Sequence, residues 1–324
     1  MMSAVFLVLI ALGEAASGQT QPNRNGAIPA RTQINGQNIG QNNARPPQGW
    51  ELTAEQQKWI DQVLKYWEAR SDKVNTFSCK FERWEYNPAF VRDPNTPWTQ
   101  AKGEIKYEKP SKAVYRVADL SYYKPAAQGG QPTYVRREDS PGEYWVCDGK
   151  STFEFDHRNK QVVERVLPEH MQGEAIADGP LPFLFGAKAE KLKQRYWFKP
   201  LTPPKDPKTG KPIQGEYWLA AKPKMRQDAM NFELVELIID QKEFLPQAMQ
   251  IYMPGGNERK VFQFSERSVN PRQRFWQDFI KPDVPRGWKM VRDNPADRAN
   301  AAQTRIGQHR SQNGGSQIPV AQRR

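Results

Sequence analysis

Two cysteines and three histidines are the residues of this 324-residue chain that most often serve proteins as nucleophiles, bases or metal ligands. Cys79 and Cys147 are 68 residues apart. They either pair as a disulfide in an oxidising compartment or lie separately as buried thiols. His157 and His170 are 13 residues apart and show neither the HxxxH nor the HExxH spacing of a metal site. The sequence marks neither histidine as the partner of a nucleophilic cysteine.

Other catalytic patterns are also missing from the sequence. It contains neither a GxSxG segment nor a Walker-type loop, and Gly255-Gly256 is typical of a turn because no helix follows to hold a phosphate. Carboxylates such as Asp148 and Glu154 are present, but any β-rich protein offers such pairs. We therefore expect no enzyme, no metal site and no cofactor, and we keep a hydrolase as a third hypothesis.

One amphipathic helix is predicted before the strands begin. Thr53 and Gln56 stand in the capping-box pattern, and the apolar face continues to about Arg70. The residues that recur at helical spacing on this face are Trp59, Ile60, Val63, Leu64 and Trp67. We expect the helix to pack its apolar face on a sheet.

Eleven strands are predicted after this helix, because aromatic and β-branched residues dominate short segments separated by turn residues. The segments are 77–86, 103–108, 113–122, 143–147, 152–156, 161–167, 196–200, 217–221, 232–240, 245–253 and 259–269. A short helical insertion over 181–195 interrupts them. The pattern indicates a mainly β fold with few helices, in which a meandering antiparallel sheet curls or closes to hide its edges.

Alternation gives most strands one apolar face, so the sequence predicts a large apolar inner side with few helices to cover it. Either the side chains fill this space, or a cavity remains that takes an apolar ligand. The candidate lining residues are Ile105, Tyr107, Phe153, Phe155, Met249, Ile251, Phe262 and Phe264.

The two ends of the chain differ in composition from the body, residues 50–294. Residues 1–18 contain an unbroken apolar run of nine, Ala4 to Leu12, which is typical of a signal peptide and too short to span a bilayer. Residues 19–49 form a predicted disordered linker in which 12 of 31 residues are Gln or Asn, and 295–324 form a predicted disordered basic tail.

The linker and the tail hold much of the net charge of +12. Residues 1–18 contribute −1, the linker +3, the body +6 and the tail +4. No nucleic-acid recognition motif is present, so we expect no nucleic-acid partner. Basic ends suit an anionic surface of the cell envelope, and the localisation that we expect is exported, in the periplasm or envelope.

Short motifs along the body resemble the family of the periplasmic outer-membrane lipoprotein carrier LolA. Each motif is short, but their order is collinear over about residues 55–293. They are DKVNTF at 72–77, GEI at 103–105, EKP at 108–110, VCDGK at 146–150, PFL at 182–184, the hairpin 232–246, and Phe279, Pro282, Pro285 and Gly287. The long polar lead and the Trp276 and Trp288 ending resemble a planctomycete-restricted family of exported LolA-like proteins.

The resemblance implies an incomplete, curved antiparallel β-barrel closed by helices (a LolA/LolB-like half-barrel) with a cavity for acyl chains. The carrier family has an Arg where this chain has Lys109, and a Lys lacks the planar donor fork of Arg. We expect Lys109 at the rim of the ligand site. The predicted function is binding or carrying a lipid or lipidated protein. The alternative is a structural or interaction module of the envelope with a filled core and no ligand.

Overall fold

The computed structural model of the protein describes residues 45–126, 132–138, 141–167, 172, 183, 188–272 and 276–293. The predicted signal peptide (1–18), the predicted basic tail (295–324) and all but residues 45–49 of the predicted linker lie outside these residues. Most of the predicted helical insertion before residue 188 lies outside them as well.

Helix α1 (Ala54–Ser71) begins at the predicted capping box. The Thr53 hydroxyl accepts a hydrogen bond from the Gln56 amide at 3.2 Å, and the Gln56 side chain accepts one from the Thr53 amide at 3.0 Å. These two bonds satisfy donors that every helix start leaves free. The buried side chains of α1 are Ile60, Val63, Leu64 and Trp67, which confirms the predicted apolar face.

Thirteen strands and two further short helices follow α1 in the described part of the chain. The strands are β1 (Thr76–Tyr86), β2 (Thr99–Glu108), β3 (Lys112–Lys124), β4 (Thr133–Arg136), β5 (Tyr144–Asp148), β6 (Ser151–Asp156), β7 (Gln161–Val166), β8 (Tyr196–Pro200), β9 (Glu216–Pro223), β10 (Leu234–Asp240), β11 (Pro246–Tyr252), β12 (Arg259–Val269) and β13 (Lys289–Asp293). The helices are α2 (Ala189–Arg195) and α3 (Arg226–Ala229), and a 3-10 turn covers Trp276–Phe279. All eleven predicted strands are present, while β4 and β13 were not predicted.

The strands form one sheet in the order β13-β7-β6-β5-β3-β2-β1-β12-β11-β10-β9-β8, with β4 paired to β3. The hairpin pairs β2–β3, β5–β6, β6–β7, β8–β9, β9–β10, β10–β11 and β11–β12 are antiparallel. Strand β13 instead pairs in parallel with β7. Within the described residues the sheet is open, since its order ends at β13 and β8. The predicted fold class, a mainly antiparallel sheet that does not close into a complete barrel, is confirmed.

The chain divides into two compact units. Among the described residues, the first comprises 45–73, 83–98, 183 and 188–264. Its core joins the buried face of α1 to α2 and to the inner side chains of β8, β9 and β10. Each large apolar side chain buried in such a core contributes roughly 1.5–3 kcal/mol.

Among the described residues, the second unit comprises 74–82, 99–126, 132–138, 141–167, 172, 265–272 and 276–293. One of its cores consists of Val114, Val146, Phe153, Val162 and Phe279. Phe279 belongs to the 3-10 turn, so this turn covers the face on which the other four side chains lie.

A bulge in β3 also belongs to the second unit. Lys102 pairs with Asp119 and Gly103 pairs with Val117, which leaves Ala118 without a partner in β2. A Cβ atom on Gly103 would lie 2.2 Å from the Arg116 carbonyl oxygen and 2.5 Å from the Phe81 ring. The close approach of these strands therefore requires glycine at this position.

Candidate functional site

A row of apolar side chains crosses four neighbouring strands of the first unit. Leu219, Leu237, Met249 and Phe262 are opposite one another in register on β9, β10, β11 and β12. Directly opposed residues share a face of a sheet. Leu219 and Leu237 are buried in the same core as α1, and Met249 packs against that core while staying partly exposed. The row thus passes from the helix-covered part of the face toward β12.

A second row supports this arrangement. Ala221, Val235 and Ile251 are opposite one another on β9, β10 and β11. Ile251 is partly buried against the helix-covered core. Phe264 continues the face along β12, and its ring stacks with that of Phe262 at 6.0 Å. The four candidate lining residues of β11 and β12 therefore share one face.

Aromatic rings form a chain along α1, which we call the aromatic seam and define as Trp59, Tyr66, Tyr217 and Phe244. The ring centroids are 5.8 Å apart for Trp59 and Tyr217, 5.3 Å for Tyr217 and Phe244, and 6.0 Å for Phe244 and Tyr66. Tyr66 is 53% exposed, and the other three are partly buried. The seam joins helix and sheet through rings that water still reaches.

The buried face of α1 also holds a polar atom with no partner. Trp67 is 1% exposed, and its indole Nε1 has no acceptor among the described residues. A buried donor without an acceptor costs roughly 1–3 kcal/mol. The core under α1 therefore offers one hydrogen-bond donor, the Trp67 Nε1–H group, to an acceptor that enters it.

The candidate residues of the second unit do not share a face. Ile105 is opposite Tyr115, and Tyr115 is opposite Trp145, whereas Phe153 is opposite Val146 in the alternate row. Ile105 and Tyr107 therefore lie on one side of the sheet and Phe153 and Phe155 on the other. Tyr107 and Phe153 are each 1% exposed. The role of all these residues in ligand contact stays a prediction.

Lys109, the predicted rim residue, follows the end of β2. Its side chain is partly exposed, and its backbone amide donates to the Asn75 carbonyl at 2.8 Å. This bond holds the turn after β2 to the segment before β1. The rim role of Lys109 stays a prediction.

The two cysteines are separate, buried thiols. Burial raises the pKa of Cys79 to about 12 and that of Cys147 to about 12. The Cys147 thiol donates to the Ser111 carbonyl at 3.1 Å. Both are therefore protonated at neutral pH and inert as nucleophiles. Among the described residues no group of three His, Cys, Asp or Glu side chains is placed to hold a metal ion.

His157 lies in the turn after β6 and is partly buried. Its ring meets that of Trp288 edge to face at 5.0 Å. Burial lowers the pKa of His157, although Asp156 opposes this shift. The imidazole is therefore neutral at pH 7 and above.

A surface cavity that sequence reasoning missed lies in the second unit. It has a volume of about 370 Å³ and is lined by residues of β3, β4 and β5 and of the segments after β4 and β6. We call it the arginine groove; its charged and aromatic side chains include Arg116, Asp119, Arg136, Arg137, Glu138 and Tyr144. Arg116 and Arg136 line the same cavity because β4 pairs with β3, and no sequence motif predicts that pairing.

A bilayer can be crossed by a helix only if the helix is both long and apolar. No helix in the described part of the chain meets both conditions.

Similar structures belong to several groups of proteins. A conserved protein from Thermus thermophilus has 8% identity, with 73% of this chain and 99% of that chain covered and a TM-score of 0.38. A LolA superfamily protein from Nitrosomonas europaea has 13% identity, with coverage of 68% and 97% and a TM-score of 0.31. The MucA/MucB complex from Pseudomonas aeruginosa has 14% identity, with coverage of 68% and 61% and a TM-score of 0.33.

No protein-family model matches the chain, and no curated protein matches it by sequence. The similar structures include a LolA superfamily protein, and the sequence motifs resemble that superfamily as well. The closer resemblance to a planctomycete-restricted family stays a prediction. At these identities and TM-scores the similar structures carry no argument about function, which must come from the geometry of the chain itself.

Proposed function

We propose that the protein is an exported binding or carrier protein of the cell envelope that takes up an acyl chain of a lipid or lipidated protein. The ligand enters between α1 and the sheet face of the first unit. The observation that carries this proposal is the aromatic seam, in which partly exposed rings line the boundary between one helix and an extended apolar sheet face.

The energetics favour such a ligand. Transfer of an acyl chain from water to an apolar site is worth roughly 0.8 kcal/mol per methylene, so a chain of about 16 carbons gains on the order of 10 kcal/mol before ordering costs. No catalytic or charged motif is needed for that affinity. The unpartnered Nε1 of Trp67 also matches acyl ligands, because their carboxyl or ester groups supply a hydrogen-bond acceptor.

Polar contacts tie α1 to its neighbours and would guide its movement. Lys193 of α2 lies 3.0 Å from Asp61, and the Ala189 amide donates to Glu68 at 3.1 Å. Arg70 at the end of α1 donates to the Glu243 carbonyl at 3.2 Å. These contacts are exposed or partly buried, and contacts of that kind contribute little stability. Separation of α1 from the sheet is therefore opposed mainly by apolar packing, which a bound acyl chain replaces.

The full chain is tested first for lipid that co-purifies with it, by native mass spectrometry, and then for binding of a fluorescent fatty acid. Trp59→Ala removes one ring of the seam and is expected to weaken binding about tenfold. Phe90→Ala is the matched control, because Phe90 is an exposed ring of the same unit that stacks on Trp98 at 4.2 Å outside the seam. A protein that is empty and binds no fatty acid contradicts the proposal, and so does equal weakening by both variants.

An envelope interaction module without a ligand is the second candidate. It is favoured by the close packing of five predicted lining residues, which are 1% to 6% exposed: Ile105, Tyr107, Phe153, Phe262 and Phe264. In this alternative the basic linker and tail contact an anionic envelope surface. Cosedimentation of the full chain with anionic vesicles, lost on removal of residues 295–324, together with failure to bind fatty acid, would establish it.

Export is part of both candidates and is tested separately. The predicted cleavage site is Ala16-Ser17-Gly18, so N-terminal sequencing of the protein from its native envelope is expected to begin at Gln19. A mature protein that retains residues 1–18 would contradict export by this route.

A further inference from the structure

We propose that the arginine groove is a binding site for the phosphate group of a phosphate ester, which is either a soluble phosphorylated molecule or a phospholipid headgroup. The groove lies wholly in the second unit and is separate from the proposed acyl site. Its volume of about 370 Å³ is at the small end of the range for ligand pockets, roughly 300–1,000 Å³.

Arg116 is the main candidate for phosphate contact. Its guanidinium lies 5.6 Å from the centre of the Tyr144 ring, and among the described residues it forms no ion pair. Glu104 is opposite Arg116 on β2, but its carboxylate pairs with Lys106, with Oε2 and Nζ 3.4 Å apart. An arginine resting on an aromatic face keeps its planar N–H donors directed sideways, and this fork matches two phosphate oxygens.

A second arginine in the groove is placed in a similar way. The Arg137 guanidinium lies 4.4 Å from the centre of the Tyr122 ring. Arg116 and Arg137 both border the cavity. Arg116 shares its face of the sheet with Asp119 and Arg136, whereas Tyr122, over which Arg137 lies, is on the opposite face. Arg116 is therefore the arginine that a ligand on its face of the sheet would contact, and its donor fork fits an anion with several oxygens, such as phosphate.

The other charged side chains that line the groove are Arg136, Asp119 and Glu138, and they determine which charge a ligand must carry. Arg136 forms two short contacts to Asp119, with Nη2–Oδ2 at 2.6 Å and Nε–Oδ1 at 2.7 Å. The hydrogen bond from Arg136 lowers the pKa of Asp119, so this pair stays ionised and balanced. Glu138 is an exposed carboxylate that also lines the groove. It repels an anion, and its neutralisation should therefore strengthen binding.

The uncharged wall of the groove suits the organic part of an ester. Gly142 lies against Val117 so closely that a Cβ on Gly142 would be 2.2 Å from a Val117 methyl carbon. The Val117 amide donates to the Glu143 carbonyl at 2.8 Å and fixes this approach. On the other side the Tyr144 ring stacks on that of Phe155 at 4.4 Å. An ester can place its phosphate at the arginines and its carbon chain on these surfaces.

The test uses the full chain and glycerol 3-phosphate as the soluble probe, with binding measured by calorimetry at low salt. Arg116→Gln is expected to weaken binding about tenfold, and Glu138→Gln is expected to strengthen it severalfold. Arg286→Gln is the matched control, because Arg286 lies at the surface of the second unit but does not line the groove. Circular dichroism of each variant checks that the fold is retained.

Vesicle flotation distinguishes the two sources of the phosphate group. Binding to phosphatidic acid vesicles but not to glycerol 3-phosphate, with the same loss in Arg116→Gln, would identify a lipid headgroup, whereas binding of the soluble probe would identify a free ester. The inference is overturned if the wild-type protein binds neither probe, or if Arg116→Gln and Arg286→Gln weaken binding equally. Fatty-acid binding is not expected to change in Arg116→Gln, so this result is independent of the acyl-site proposal.

Discussion

The reactivity of the two thiols can be calculated from their burial. A thiol with the ordinary pKa of 9.0 is about one-tenth thiolate at pH 8, whereas one with a pKa of about 12 is roughly one part in ten thousand thiolate. Alkylation of Cys79 and Cys147 in the folded protein is therefore expected to be at least about 1,000-fold slower than that of an exposed cysteine. Ala69→Cys on the surface side of α1 supplies that internal standard.

The assay is alkylation by iodoacetamide under non-reducing conditions, with each cysteine followed by peptide mass spectrometry. In denaturant all three cysteines should react at similar rates, because the protection belongs to the fold. Rapid labelling of Cys79 or Cys147 in the folded protein would refute the burial on which the calculation rests. Failure of both to label in denaturant without reductant would instead show a disulfide and contradict the separate thiols of the structure.

The same pKa shifts predict how the free energy of unfolding depends on alkaline pH. The pKa of Cys79 rises from 9.0 in the unfolded chain to about 12 in the folded protein, so the folded state holds the proton more tightly. This contribution is complete below about pH 9 and falls by roughly 1.4 kcal/mol per pH unit as the pH rises toward 12. In urea titrations Cys79→Ala should show a shallower decline than wild type, and parallel declines would contradict the shift.

Two substitutions test the fold itself. Gly103→Ala should lower the free energy of unfolding by roughly 1–3 kcal/mol, because its Cβ would clash with the Arg116 carbonyl and the Phe81 ring; an unchanged urea midpoint would show that the strands are not so close. Thr53→Ala should cost about 0.5–2 kcal/mol through loss of the N-cap bond to Gln56. The control Thr53→Ser should retain most of that stability, and equal loss in both variants would argue against the cap.

Local sequence signals predicted most of the secondary structure. The capping box placed the start of α1, and segments rich in aromatic and β-branched residues placed strands such as β8 and β12 with the observed boundaries. Strand β4 was missed because the segment TYVR is short and mostly exposed. Strand β13 was missed because its partner, β7, lies more than 120 residues earlier in the chain.

The candidate site was harder to predict because alternation within a strand does not say which side of the sheet each strand presents. Ile105 and Phe153 both follow an apolar alternation, yet pairing through β3 places them on opposite faces. The four candidates on β11 and β12 share a face because β11 and β12 are joined by a hairpin, where adjacent strands keep a simple register. The arginine groove depends on the pairing of β4 with β3, and β4 itself was not predicted from the sequence.

The parallel pairing of β13 with β7 also has a consequence for biogenesis. During translation β7 is synthesised more than 120 residues before its partner strand β13. The backbone donors and acceptors on the β13 side of β7 therefore have no partner strand until β13 is made. The second unit is completed only when residues 289–293 leave the ribosome, and its earlier strands must meanwhile avoid association with other chains. A chain that ends before residue 289 should thus aggregate on synthesis, even though it retains every residue of the first unit.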